Sequence, residues 1–152
     1  SHPNGTHDML EREKHGNFQA EYVSQICVQC HKHGVLFALE NPAGSSLFES
    51  EFVLALNQTV PCYQVEFDMC AYGLRLPGAA SHQFCRKYIC VLANFQVSCL
   101  QKQCPGISSK HTHQRAWGSV KLEGALISFA LAAGAYTPGF YDAAAHLVRN
   151  TL

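Results

Sequence analysis

Hydrophobic residues recur at helical spacing in the first third of the chain. Four of them follow each other at four-residue intervals, which predicts an amphipathic helix with one buried face. Gly34 is suited to end this helix. The uninterrupted apolar run VLFAL at 35–39 then predicts a strand buried on both faces of a parallel sheet. The four positions are Phe18, Tyr22, Ile26 and Cys30.

Further elements follow from the same patterns. Ser45 or Ser46 is a plausible N-cap for the next helix, with Glu49 placed for a capping box. The segment YQVEFDM alternates strictly between apolar and polar residues, which is typical of a strand with one half-exposed face near a sheet edge. The predicted elements are a helix at 47–58, strands at 63–69 and 88–93, a short helix at 95–102, loops at 73–84 and 103–119, and one or two helices within 122–152, broken near Thr137-Pro138-Gly139.

The order of these elements predicts an α/β domain. Residues 1–17 are polar and rich in His and charge, so we expect a flexible N-terminal arm followed by a single domain over 18–152. The predicted architecture is a partial doubly wound, Rossmann-like sheet of about three strands with flanking helices. Because a doubly wound sheet usually has more strands, we expect the C-terminal part of a larger domain.

Charge and composition limit the partners and the cellular compartment that we expect for the protein. The 152 residues include 11 Lys and Arg and 11 Asp and Glu, so net charge gives no general argument for a polyanionic partner and leaves only local patches. The apolar stretch at 125–136 is far shorter than the roughly 20 residues that span a bilayer. We therefore expect a soluble chain without membrane contact. Several of the 8 cysteines fall in apolar periodic segments, which favours reduced thiols and an intracellular, reducing compartment.

Several short motifs occur in an order that resembles the second half of cytosine-5 DNA methyltransferases. FALENPAGSSLF contains the Glu-Asn pair that ends a strand in that family, Ala71-Tyr72-Gly73 is similar to its Ala-x-Tyr-Gly turn, and CRKYICVLAN approximates its Arg-rich strand. The chain is most similar to divergent members associated with mobile elements. Those members carry Glu-x-Pro, a Cys followed by His-x-His, and a late Ala-x-Tyr-Pro segment, which AYTP at 135–138 matches with one residue inserted.

The resemblance implies a site and a cofactor. Glu40 and Asn41 would recognise a flipped-out cytosine, with the Glu40 acid on nitrogen 3 of the base, and Arg86 or Lys87 would bind the base carbonyl or a phosphate. It also implies S-adenosylmethionine as the cofactor of the parent family and DNA as a partner. The alternative for each residue is structural: Glu40 would be a polar strand end that caps a helix, and the two cations would be solvated.

The family's cofactor half has no counterpart in this sequence. Its Gly-rich turn and its Pro-Cys nucleophile loop both precede the Glu-Asn strand, and neither motif occurs before Glu40. Pro61-Cys62 follows that strand, so we do not assign it as the nucleophile. We therefore expect a C-terminal portion or a degenerate relative of a methyltransferase that is inactive alone. Such a chain would need a complementary N-terminal half or would self-associate through its exposed sheet edge.

A second cluster of residues has the chemistry of a metal site. Two cysteines and two histidines within 15 residues of a Gly/Pro/Ser loop suit tetrahedral zinc, although His-x-His is tighter than the spacing of a standard finger. Cys85 or Cys70 could replace the first cysteine, and a buried thiol beside two surface histidines is the structural alternative. The predicted ligands are Cys99, Cys104, His111 and His113.

These residues leave two functional hypotheses of different classes. The first is the methyltransferase-like fragment, and the second is a small zinc-stabilised α/β module that binds a partner through the loop at 99–119. The motif Cys27-x2-Cys30-His31 also has metal-ligating residues, but its cysteines lie on the apolar stripe of the first helix, which favours core packing. A Cys-dependent hydrolase ranks last because the sequence has no recognisable nucleophile turn.

Overall fold

The computed structural model describes residues 6–151, which form a mixed α/β fold. The elements follow in chain order, with short 3-10 helices at Ser46–Glu49, Met69–Tyr72 and Ser98–Leu100 between them. Within residues 6–151 the helices are α1 (Thr6–Lys32), α2 (Glu51–Thr59), α3 (Phe129–Ala132) and α4 (Pro138–Thr151). The strands are β1 (Ala38–Pro42), β2 (Tyr63–Asp68), β3 (Gln83–Cys85), β4 (Tyr88–Ala93), β5 (Thr112–Gln114), β6 (Ser119–Leu122) and β7 (Ala125–Ser128).

The main sheet has three antiparallel strands in the order β1-β4-β2. Strand β4 is central, and it is buried on both faces because its side chains alternate between two apolar layers. Leu92 packs with α1 and α2 on one face, while Ile89, Val91 and Ala93 face the second layer. That second layer includes Phe67 from β2 and Phe140 from α4, whose rings stack at 5.4 Å.

The predicted parallel strand at 35–39 is wrong in position, direction and burial. The strand begins at Ala38, pairs antiparallel with β4, and forms an edge whose residues are only half-buried or exposed. Strands β1 and β2 both run antiparallel to β4, and the chain crosses from β1 through α2 to β2 with β4 between them. No two neighbouring strands of this sheet are parallel, so the doubly wound, Rossmann-like arrangement is not confirmed. The predicted position of 63–69 near a sheet edge is confirmed, because β2 is the other edge strand.

The first helix begins at Thr6, well before the predicted Phe18. The helix therefore includes residues 6–17 of the predicted arm, and residues 1–5 lie outside the described residues. Among residues 10–32 its buried positions are Ala20, Ser24 and Cys27, whereas Phe18, Tyr22 and Ile26 of the predicted core stripe are exposed. The burial of Cys27 agrees with the core role expected for that motif.

The region after residue 118 contains a β-hairpin where helices were predicted. Strands β6 and β7 pair through a two-residue turn at Glu123 and Gly124, both with positive φ (48° and 84°). Such a turn matches the twist of hairpin strands, and Gly adopts it without steric cost. The predicted helix break near Thr137-Pro138 is confirmed, because α4 begins at Pro138.

No helix among the described residues is both long enough and apolar enough to cross a bilayer.

Candidate metal centre and adjoining site

Four potential metal ligands converge beside the end of the main sheet. Cys70 lies in the 3-10 helix that follows β2, Cys104 lies in the loop after residue 100, and His111 and His113 lie at β5. One ligand atom from each of these four side chains lies within 4.8 Å of every other. Because alternate residues of a strand point to the same side, the His-x-His spacing places both imidazoles on one side of β5.

Three of the ligand atoms lie close to the separations of a tetrahedral zinc site. Zn–S bonds of about 2.3 Å and Zn–N bonds of about 2.0–2.1 Å require ligand atoms roughly 3.3–3.8 Å apart. The Sγ of Cys104 lies 3.5 Å from Nε2 of His111 and 3.3 Å from Nε2 of His113. The two Nε2 atoms are 3.1 Å apart, slightly less than that range. The Cys70 sulfur lies within 4.8 Å of each of the other three ligand atoms, so the four residues could hold a metal such as zinc.

The structure brings together three of the four predicted ligands, Cys104, His111 and His113, and the fourth member of the cluster is Cys70. Cys99 is exposed and lies outside the cluster. Cys70, which the sequence left open as a substitute, is 2% exposed and fills that position. Cys70 and Cys104 are 34 residues apart in the sequence, so no local spacing indicates that they share a site. They come together only because the segment after β2 folds beside the loop.

Burial changes the acid–base properties of two ligands. The pKa of the Cys70 thiol rises to about 12, mainly because of desolvation and also through its hydrogen bond with Cys104. Desolvation lowers the pKa of His111, and the neighbouring His113 lowers it further. A neutral imidazole is the form that ligates metals, whereas a thiol must lose its proton when a cation binds.

A ring stack positions His111. The Phe84 ring on β3 lies against the His111 imidazole with a centroid distance of 4.5 Å and an interplanar angle of 13°. Strand β3 pairs in parallel with β5, and Phe84 is opposite His113 in the register. Two backbone hydrogen bonds between Ser108 and His111 close the turn that leads into β5. The ring stack and these backbone hydrogen bonds thus position the imidazole without a metal.

Asp68 connects the sheet to the metal loop. Its side chain is 2% exposed and accepts hydrogen bonds from Arg86 Nε and from the backbone N–H of Cys104, both at 3.0 Å. The sequence placed Asp68 on the exposed face of an alternating strand, so this role was missed. Its two donors lie 18 and 36 residues away, and no local pattern relates them.

The four residues assigned by resemblance separate into different environments. Lys87 Nζ lies 3.8 Å from Glu40 Oε1, so these two meet. Arg86 pairs with Asp68 instead, and this pairing raises the pKa of its guanidinium. The amide of Asn41 donates to Ser45 Oγ, which is a local turn contact. Glu40 lies in the middle of edge strand β1, not at the end of an inner parallel strand.

Tyr136 completes the Glu40 cluster, and sequence reasoning assigned it no role. Lys87 Nζ lies 5.4 Å from the centre of its ring. Burial raises the pKa of Tyr136, and the neighbouring Glu40 carboxylate raises it further. The side chains of Glu40 and Lys87 are 30% and 25% exposed, so the group is partly open to solvent. Its three residues come from the three motifs ENP, CRKY and AYTP.

The segment that carries the four potential metal ligands is rich in positive charge. Residues 69–122 contain no Asp or Glu, and all 11 acidic residues of the chain lie outside that segment. Lys102 lines a cleft of about 340 Å³ together with Cys70 and His111, and Arg75 lies 4.9 Å from the centre of the Phe84 ring. Trp117 nearby in sequence is 86% exposed. The cations of the segment are Arg75, Arg86, Lys87, Lys102, Lys110, Arg115 and Lys121.

No protein-family model, curated protein or solved structure matches this chain.

The position of Asp68 predicts an effect on metal affinity without any change of ligand. Asp68→Ala removes the acceptor of the Cys104 N–H, so we expect the affinity for zinc to fall at least about tenfold, as for other groups that orient ligands. The measurement is competition with a chromogenic zinc chelator. Glu66→Ala on the same strand is the control, because Glu66 accepts from Tyr88 and not from the loop. Equal zinc affinities of wild type and Asp68→Ala would show that Asp68 does not position the ligands.

Proposed function

We propose that the chain is a small zinc-stabilised α/β module that binds a polyanionic partner through the surface around its metal loop. The observation that carries the proposal is the convergence of Cys70, Cys104, His111 and His113 at separations suited to zinc. A closed set of four protein ligands is typical of a structural site, whereas catalytic zinc keeps an open position.

The metal would fix a region with little regular structure of its own. Between residue 101 and residue 118 the only strand in the described part of the chain is the three-residue β5. Bound zinc would cross-link this loop to the segment after β2, and because the four ligands converge only in the folded chain, the free energy of zinc binding stabilises the folded state. The ligands would hold the ion, and Asp68 and Phe84 would hold the ligands.

The location of the metal ligands predicts which cysteine is needed for zinc binding. Cys104→Ser removes a ligand, so we expect the loss of stoichiometric zinc and a lower melting temperature that added zinc no longer raises. Cys99→Ser is the matched control, since Cys99 is exposed, lies five residues away and is outside the cluster. Metal analysis and thermal unfolding are the measurements. Zinc loss in Cys99→Ser with retention in Cys104→Ser would refute the ligand set.

Single-stranded nucleic acid is the partner class that the chemistry of this surface favours. Cations without intervening acids attract phosphates, and exposed aromatic faces stack on bases. Trp117 supplies one such face. Lys102 and Lys110 flank the metal centre, the first in the adjoining cleft and the second beside His111 in sequence. The carboxylate of Asp68 near the centre is buried and paired with Arg86, so it repels phosphates only weakly.

We expect an oligothymidylate to quench the fluorescence of Trp117, the sole tryptophan, with an affinity that falls as salt rises. Charge reversal in Lys102→Glu/Lys110→Glu should weaken binding at least about tenfold. The control Lys32→Glu/Arg149→Glu carries the same change in net charge outside the segment and should bind within about twofold of wild type.

Two results would contradict nucleic-acid binding. One is the absence of quenching at low salt by zinc-loaded protein. The other is polyglutamate binding as tightly as the oligonucleotide, which would assign the surface to an acidic protein. Zinc content is measured on the same samples, so a failure of metal binding is distinguished from a failure of partner binding.

A second candidate function is base recognition by a methyltransferase-like fragment. The observation that favours it is the contact of Glu40, Lys87 and Tyr136, because three motifs that are remote in sequence contribute one residue each. A carboxylate, an ammonium group and a phenol offer the hydrogen bonds that a polar heterocycle needs. The Gly-rich turn and the Pro-Cys loop of the family are not among the motifs of this sequence, so Glu40 and Lys87 would be inherited site residues without chemistry of their own.

The fragment hypothesis predicts negligible binding of S-adenosylmethionine. Isothermal titration calorimetry with the zinc-loaded chain should give no heat beyond dilution, because the sequence offers no glycine-rich turn to hold the cofactor. Glu40→Gln should behave identically. Saturable, stoichiometric binding of S-adenosylmethionine would overturn the inactive-fragment hypothesis.

A further inference from the structure

Two of the four potential metal ligands are cysteines whose sulfur atoms lie near each other. The Sγ atoms of Cys70 and Cys104 are within 4.8 Å, and neither thiol is in a disulfide. Two hydrogen bonds hold their segments side by side. The Asp68 N–H donates to the Lys102 carbonyl at 2.9 Å, and the Cys104 N–H donates to the Asp68 carboxylate at 3.0 Å. The fold therefore brings together two sulfurs that are 34 residues apart in the sequence.

The two thiols differ in their access to solvent. Cys104 is half-buried in a loop, whereas Cys70 is 2% exposed and lines the cleft of about 340 Å³. A small oxidant therefore reaches Cys104 more easily, and Cys70 lies where a second sulfur would attack the oxidised product. An accessible sulfur with a resolving sulfur beside it is typical of redox-sensitive cysteines. Exposure alone does not select this pair, because Cys99 is more exposed and lies outside the cluster.

We propose that Cys70 and Cys104 form a disulfide when the protein reacts with hydrogen peroxide, and that formation of this disulfide releases the zinc. The inference rests on the proposed zinc site and adds redox control to it. The two sulfurs must approach from a separation of at most 4.8 Å to an S–S bond length of about 2.05 Å. Cys104 lies outside the helices and strands of the described chain, so its loop is suited to supply this movement.

The reaction has two balanced steps. In the first, the Cys104 thiolate attacks one peroxide oxygen and the O–O bond breaks. The sulfur becomes a sulfenic acid, and the hydroxide that leaves takes up a proton to form water. In the second, the Cys70 thiolate attacks the sulfenic sulfur and the S–S bond forms. The hydroxide that leaves again becomes water, so two electrons pass from the two sulfurs to the peroxide.

The disulfide removes two of the four metal donors. Its sulfurs are no longer thiolates, so only His111 and His113 would remain, and a structural zinc site requires four ligands. The S–S bond would still connect Cys104 to the segment after β2. The loop beyond Cys104 would lose its metal cross-link, and this part of the loop carries Lys110 and Trp117. Oxidation would thus loosen part of the surface to which we assign partner binding.

Treatment of the reduced, zinc-loaded chain with hydrogen peroxide tests the inference. We expect stoichiometric release of zinc to a chromogenic chelator, well above the release without peroxide. Peptide mass spectrometry after alkylation of the remaining thiols should identify a Cys70–Cys104 disulfide. Dithiothreitol followed by zinc should restore both thiols and the bound metal. Cys99→Ser is the matched control: it removes the exposed thiol outside the cluster and should give the same release and the same disulfide.

Two results would overturn the inference. One is that Cys70 and Cys104 both remain open to alkylation after peroxide treatment. The other is zinc release without a disulfide between them, for example with oxidation confined to Cys99. Zinc content is measured before oxidation, so a chain that binds no zinc contradicts the proposed function. The disulfide is mapped on the same samples, and its absence counts against the redox pair whether or not zinc was bound.

Discussion

The arrangement of the candidate site depends on the hydrogen bonds that the buried carboxylate of Asp68 accepts. Asp68 terminates β2 and accepts hydrogen bonds from the Arg86 side chain and the Cys104 backbone, so one side chain joins the sheet to the metal loop. A buried carboxylate is costly unless both charge and hydrogen bonds are satisfied, and here both are. Because Cys70 follows Asp68 by two residues, the same contact fixes the relative position of two sulfur ligands.

The two parts of the molecule have different sources of order. The sheet has apolar layers on both faces, with α1 and α2 on one side and α4 on the other. The region from residue 101 to residue 118 has a single short strand in the described chain, so hydrogen bonds and the Phe84–His111 stack determine its geometry. A metal held by the four potential ligands would fix this loop further, and the loop carries the cationic and aromatic side chains of Lys102, Lys110 and Trp117.

Two strand patterns and one helix break were read correctly, whereas the buried face of α1 and the topology were not. The strands at 63–68 and 88–93 and the start of α4 at Pro138 agree with the sequence patterns. The run at 35–39 was misassigned because a continuous apolar run is common to buried parallel strands and to segments that merely enter an edge strand. The hairpin at 119–128 was missed because Glu123-Gly124 is not among the strongest turn signals.

The candidate site was predictable only where its chemistry is local in sequence. Cys104, His111 and His113 lie within ten residues, and their spacing indicated a metal site. Cys70 and Asp68 come from another element, so their contribution depends on a register that no pattern encodes. Tyr136 likewise reaches Glu40 only because the C-terminal segment packs on the same sheet face as Val91, the partner of Glu40 in the register.

X-ray absorption spectroscopy at the zinc edge tests the central claim most directly. The four ligands predict a first shell of two sulfur atoms at about 2.3 Å and two nitrogen atoms at about 2.0–2.1 Å. Multiple-scattering features of imidazole should accompany the nitrogen shell. A shell dominated by oxygen, or one with three or more sulfurs, would contradict the Cys70–Cys104–His111–His113 centre.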